Sequence, residues 1–75
     1  MIISGKLVDV SRYDTSTVGN PRYKCIILHN EDVTEFYTGV NSQHGYSITN
    51  YRDKLVTVEL QYKRNKLTLQ TIKGE

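Results

Sequence analysis

Residues 54–63, "KLVTVELQYK", place Val56, Val58, Leu60 and Tyr62 in alternation with Leu55, Thr57, Glu59 and Gln61. A two-residue period is that of a β-strand with one face turned to a core. A short "RN" turn then leads to "KLTLQTIK" (66–73), a second strand and the hairpin partner of the first. In "PRYKCIILH" (21–29), Tyr23, Cys25 and Ile27 share one face, and Lys24, Ile26 and Leu28 the other. Apolar residues on both faces predict a central strand. "HNED" supplies a turn before "VTEFYTG" (33–39), and "IISGKLVDVSRY" (2–13) opens the series.

The opening strand breaks its own alternation. Ile3 and Leu7 lie on one parity, Val8 and Val10 on the other, and Gly5 interrupts the run. A glycine within a strand often marks a bulge or sharp bend, and a bulge exchanges the inward parity, so a bulged first strand is expected. Between the third and fourth strands, "VNSQHGYSITNYRD" (40–53) predicts one or two helical turns, capped by Asn41 or Ser42. Ile48 and Tyr51 would share its face, and Gly45 weakens it.

Composition sharpens the fold class. Seven valines, six isoleucines and eight threonines are β-branched, and alanine and tryptophan are absent. Seventy-five residues make one domain, 1–75, whose small core leaves a thin stability margin. Five strands in the order β-β-β-α-β-β predict a mainly β protein, a five-stranded small Greek-key barrel that is OB-fold-like. An SH3-like barrel is the alternative. Closure would remove the exposed sheet edges.

Charge and cysteine content change the picture less. Ten Lys and Arg against eight Asp and Glu give a net charge of +2, which permits an anionic partner without requiring one. Cys25 is the only cysteine and has no partner for an internal disulfide. No apolar run approaches the roughly 18 residues of a membrane span, and "MIISGKLVDV" lacks the pattern of an export signal. The expectation is a cytoplasmic protein without a membrane partner.

The stretch "STVGNPRYKC" (16–25) joins the first two strands. Gly19 suits a turn, Asn20 before proline is pushed extended, and Pro21 fits the first position of a strand. The same stretch holds Arg22, Tyr23 and Lys24 at a barrel rim. The pieces "ISGKLVDVSR", "GNPRYKCII" and "GYSITNY", in that order, resemble a group of small proteins from phages and other mobile elements that carry the same G-N-P-R-aromatic element. The resemblance covers most of the chain, although "NEDVTEFYTG" lies outside the shared pattern. It implies a small β-barrel in a bacterial cell and brings no established activity.

OB-folds bind oligonucleotides on the face of strands two and three and through the loops between strands one and two and between four and five. Here those loops carry Arg12, Arg22 and Lys24 on one side and Lys63, Arg64 and Lys66 on the other, which could track phosphates. Tyr13, Tyr37 and Tyr62 are candidate stacking platforms for bases, with Tyr23 beside them. Each tyrosine also has a packing role open to it, because a small core without tryptophan needs aromatic filling. Asp9, Asp14, Glu31, Asp32 and Glu35 would weaken a phosphate track on a shared face.

Two functional classes follow. The first is a binding module for single-stranded DNA or RNA. The second is a protein-interaction module, as a homo-oligomer, inhibitor or accessory subunit, because tyrosine and arginine are also enriched at protein interfaces. An enzyme is disfavoured. His29 and His44 are lone histidines before turn residues, "HNED" matches no metal loop, and Cys25 sits mid-strand. The glycines are scattered, so no phosphate-cradling loop exists, and neither a metal nor a small-molecule cofactor is expected.

Overall fold

The structure, a computed structural model, describes residues 1–15, 21–39 and 47–74, with side chains described for these except 13–15 and 21. Gly19, Asn20, Asn41, Ser42, His44 and Gly45, and the turn and cap roles expected of them, lie outside the described residues. Five strands are present: β1 (Ile2–Thr15), β2 (Pro21–His29), β3 (Asp32–Tyr37), β4 (Leu55–Lys63) and β5 (Lys66–Gly74). A single 3-10 turn, Ile48–Tyr51, precedes β4.

The strands close into a barrel in the order β1-β2-β3-β5-β4. Three consecutive antiparallel strands followed by a fourth that returns beside the first make a Greek key. Here β4 lies antiparallel to β1, and β5 fills the remaining gap, pairing antiparallel with β4 and parallel with β3 at Tyr37 and Thr68. This is the Greek-key order of the OB-like expectation.

The two-residue period sorts the side chains as the pattern predicts. Val56, Val58 and Leu60 of β4 are buried, while Leu55, Glu59 and Gln61 are exposed. On β2, Cys25 and Ile27 are fully buried; across from Cys25 lies Phe36 of β3, the largest fully buried side chain. Ile3, Leu7, Val10, Ile48 and Leu69 complete the core, with Tyr23, Tyr51, Leu67 and Ile72 packed against it. Ile48 and Tyr51 do share the inner face of the 3-10 turn. Ser47 stands at its N-cap without a side-chain hydrogen bond.

The bulge in β1 is not at Gly5. Gly5 pairs regularly with Val56, and the register slips between Leu7 and Asp9 and again between Arg12 and Asp14. The extra residue Val8 turns outward, so buried Leu7 is followed by buried Val10 and the inward parity changes there. The physical reason is a change of partner. Lys6 pairs with Leu55 of β4 and with Leu28 of β2, so β1 leaves one neighbour for the other at this point. Chain from the 3-10 turn secures the crossing: the Asp53 N–H donates to the Leu7 carbonyl (2.7 Å), and the Leu7 N–H donates to the Lys54 carbonyl (3.0 Å). The Arg52 guanidinium reaches the Val10 carbonyl. Gly5 serves a different need. A Cβ there would lie 2.1 Å from the Leu28 carbonyl oxygen, a contact no side chain could survive without backbone movement.

Among the described residues, two hairpins turn on two residues with positive φ, Asn30 (48°) and Glu31 (70°) between β2 and β3, and Arg64 (52°) and Asn65 (65°) between β4 and β5. Such turns match the right-handed twist of the strands they join. Among the described residues, no helix is long and apolar enough to cross a membrane.

Candidate nucleic-acid interface

The start of β2, the end of β3 and the β4–β5 hairpin enclose a groove of about 500 Å³. Arg22, Tyr37, Thr38, Gly39, Lys63, Arg64, Lys66 and Thr68 line it. Backbone pairing brings these distant segments together. Lys24 sits opposite Tyr37 on the β2–β3 ladder, Tyr37 lies beside Thr68, and Lys63 faces Lys66 across the hairpin. Thr38 extends the β2–β3 pairing by one step, its N–H donating to the Tyr23 carbonyl (3.0 Å) and its hydroxyl oxygen accepting from the Tyr23 N–H (2.9 Å).

Four cations therefore line one concave surface, with no carboxylate among its described lining residues. Glu31 and Asp32 sit at the β2–β3 turn, at the far end of β2 from Arg22. Asp9 accepts from the Ser11 hydroxyl on β1 (2.9 Å). Asp14 pairs with Arg22 in register, and its side chain is outside the described residues. Among the described carboxylates, Glu35 comes near. Its Oε1 accepts a hydrogen bond from the Tyr37 hydroxyl at 2.7 Å, and its Oε2 lies 3.7 Å from Lys24 Nζ. Lys66 Nζ stands 4.8 Å from the centre of the Tyr37 ring, within cation–π range.

Of the ten residues predicted for a binding surface, five meet here: Arg22, Tyr37, Lys63, Arg64 and Lys66. Tyr23 turns toward the core and packs against it, because it shares the inward parity of Cys25 and Ile27. Lys24, on the outward parity, pairs with Glu35 beside the groove. Arg12 is exposed near the end of β1, opposite Tyr23 in register. Tyr62 shares the parity of buried Val58 and Leu60 but lies beyond the core near the end of β4, 67% exposed, and is next to the groove in sequence but not in its wall. The backbone of Tyr13 continues β1, and its side chain is outside the described residues. Thr38, Gly39 and Thr68 were not anticipated, since threonine in a strand reads as an ordinary β former. The Glu35–Tyr37 contact had a signal in the sequence, because residues two apart on a strand share a face.

The other candidate chemistry resolves simply. Cys25 is fully buried, and burial, with Asp9 adding to it, pushes its thiol up to about 12 from an ordinary 9.0. A thiol so held is no nucleophile at neutral pH. His29 is not the exposed loop residue expected; it ends β2 half-buried, its Nε2 2.8 Å from the Thr34 hydroxyl. Among the described residues, no three His, Cys, Asp or Glu side chains are grouped to hold a metal ion.

Fold and site together define a class: a small OB-like Greek-key barrel with a basic, tyrosine-bearing cleft beside β3. No protein-family model, curated protein or solved structure matches the chain.

Proposed function

We propose that this protein is a non-enzymatic binding module whose basic groove holds single-stranded nucleic acid. The observation that supports it best is the convergence of Arg22, Lys63, Arg64 and Lys66 around Tyr37 in a cleft whose described wall residues include no carboxylate. Separated cations on a solvated surface would need no such meeting. A strand in the cleft lays its phosphates along the cations and a base against the tyrosine, a stacking contact worth roughly 1–3 kcal/mol. A cleft of about 500 Å³ between strand ends can take a short flexible single strand. The resemblance to phage and mobile-element proteins would put this activity in the bacterial cytoplasm.

The test is fluorescence anisotropy with labelled single-stranded DNA, single-stranded RNA and duplex DNA at two salt concentrations. Micromolar or tighter single-strand binding that weakens with salt supports the reading, since each phosphate neutralised adds about −0.7 to the slope of log K against log salt. Binding that ignores salt, or none at low salt, removes it.

A second reading has its own observation. Leu55, Lys6, Leu28 and Val33 form one cross-strand row over β4, β1, β2 and β3. The apolar members are exposed, Leu55 at 58% and Val33 at 65%, with Val8 beside them. An aliphatic row in register is what a protein interface uses. Sedimentation of the purified protein separates this case, because self-association through the row would give dimers that Leu28→Lys dissolves.

A further inference from the structure

We propose that Glu35 makes the Tyr37 position of the groove selective for guanine in a single strand, an inference that rests on the nucleic-acid reading above. Tyr37 is held by a chain of contacts. Lys24 meets Glu35 at 3.7 Å, Glu35 accepts from the Tyr37 hydroxyl at 2.7 Å, and Lys66 stands 4.8 Å from the ring centre. These contacts orient the ring and place a carboxylate at its hydroxyl end. A base stacked on Tyr37 with one edge toward that end meets Glu35.

The groove cations carry donors only, so they suit phosphate oxygens and bind the strand whatever its sequence. Glu35 carries acceptors only. A carboxylate offers about four lone-pair sites, of which the Tyr37 hydroxyl engages one on Oε1, while Lys24 pairs with Oε2 at 3.7 Å, beyond hydrogen-bond range. The Glu35 side chain is about half exposed, 47%, so the remaining sites are reachable. Guanine presents two adjacent donors, N1–H and the N2 amino group, on one edge and matches both carboxylate oxygens at once. Cytosine presents one amino group beside the N3 acceptor, and adenine one between the acceptors N1 and N7. Thymine and uracil flank their single N–H with two carbonyls, which a carboxylate repels. Glu35 is thus a specificity-determining residue and not merely a charge opposing the phosphate track.

The experiment compares thymine tracts of about ten nucleotides. One is unmodified, one carries a single central guanine, and one a single inosine, which keeps N1–H and lacks the N2 amino group. The guanine tract is expected to bind about five- to tenfold more tightly than the plain tract, with inosine between them. Glu35→Gln is expected to erase most of that gain and to bind the plain tract at least as well, having lost a negative charge. Tyr37→Phe keeps the ring, releases Glu35 from it, and is expected to narrow the guanine preference. Thermal melting followed by circular dichroism checks that both variants fold. Equal binding of all three tracts by the wild-type protein, or a guanine gain that survives Glu35→Gln, overturns this inference while the nucleic-acid reading stands. Failure to bind any strand overturns both.

Discussion

Two hairpin turns among the described residues have the same shape and opposite character. Asn30-Glu31 and Arg64-Asn65 each place two consecutive residues at positive φ, and each joins neighbouring antiparallel strands. The first is acidic, flanked by Asp32, and stands eight residues along β2 from Arg22, roughly 25 Å at strand rise. The second carries Lys63, Arg64 and Lys66 into the groove wall. Conformation is common to both and charge is not. Backbone geometry answers to strand twist alone, so side chains at a turn are left available for function.

Reversing the charges at each turn breaks the comparison most directly. Lys63→Glu with Arg64→Glu and Lys66→Glu is expected to weaken single-strand binding about a hundredfold at low salt and to flatten the salt slope by about 2. Glu31→Lys with Asp32→Lys, tried by the same anisotropy titration, is expected to change affinity less than twofold. Comparable losses from both sets would mean that net charge, and not the groove, governs binding.

A second change attacks the acidic end without touching the groove. Gly5→Ala drives a Cβ against the Leu28 carbonyl, next to the β2–β3 turn. Overpacking costs about 1–3 kcal/mol, and backbone in the way puts this position near the top of that range. A domain this small then melts about 8–20 °C lower. An unchanged melting temperature would show that β1 and β2 do not approach so closely in solution.

Glycine at each turn sharpens the contrast. Glu31→Gly and Arg64→Gly both relieve a positive φ that glycine adopts freely, so each is expected to stabilise the fold by up to about 1 kcal/mol in urea unfolding. Their effects on binding diverge. Arg64→Gly is expected to lose several-fold in affinity, and Glu31→Gly to lose nothing.

At neutral pH the smallest effect comes from Cys25, buried between the two ends. Its thiol is pushed up to about 12 in the fold from 9.0, so the folded state favours the neutral form. That contribution is complete below pH 9 and is lost as pH rises from 9 toward 12. Urea unfolding across this range is expected to show a steeper alkaline decline for the wild type than for Cys25→Val. At pH 8, iodoacetamide is expected to label the native thiol only as fast as the barrel opens; prompt labelling would contradict its burial.

Much of this architecture was legible along the chain. The bounds of β2 coincide with the alternating run 21–29, and β4 and β5 differ from theirs by one residue. The 3-10 turn with Ile48 inward follows from spacing three apart, and Cys25 from its parity with Ile27. All of these are local properties, because the period of two or of about three and a half is written within a few residues. The partner of each strand is not. The placement of the bulge at Val8 depended on where β1 exchanges β4 for β2, and Gly5 had its own reason in a neighbour twenty-three residues away, Leu28. For the site, residue types and loops were visible, but the sorting was not. Tyr23 turned inward and Tyr37 came to the groove because closure decides which face of each strand is core, and Arg22 met Lys66 only because β5 fills the gap between β3 and β4. Long-range pairing joins residues whose separation leaves no trace in local periodicity, and it is there that a scatter of basic residues becomes a groove.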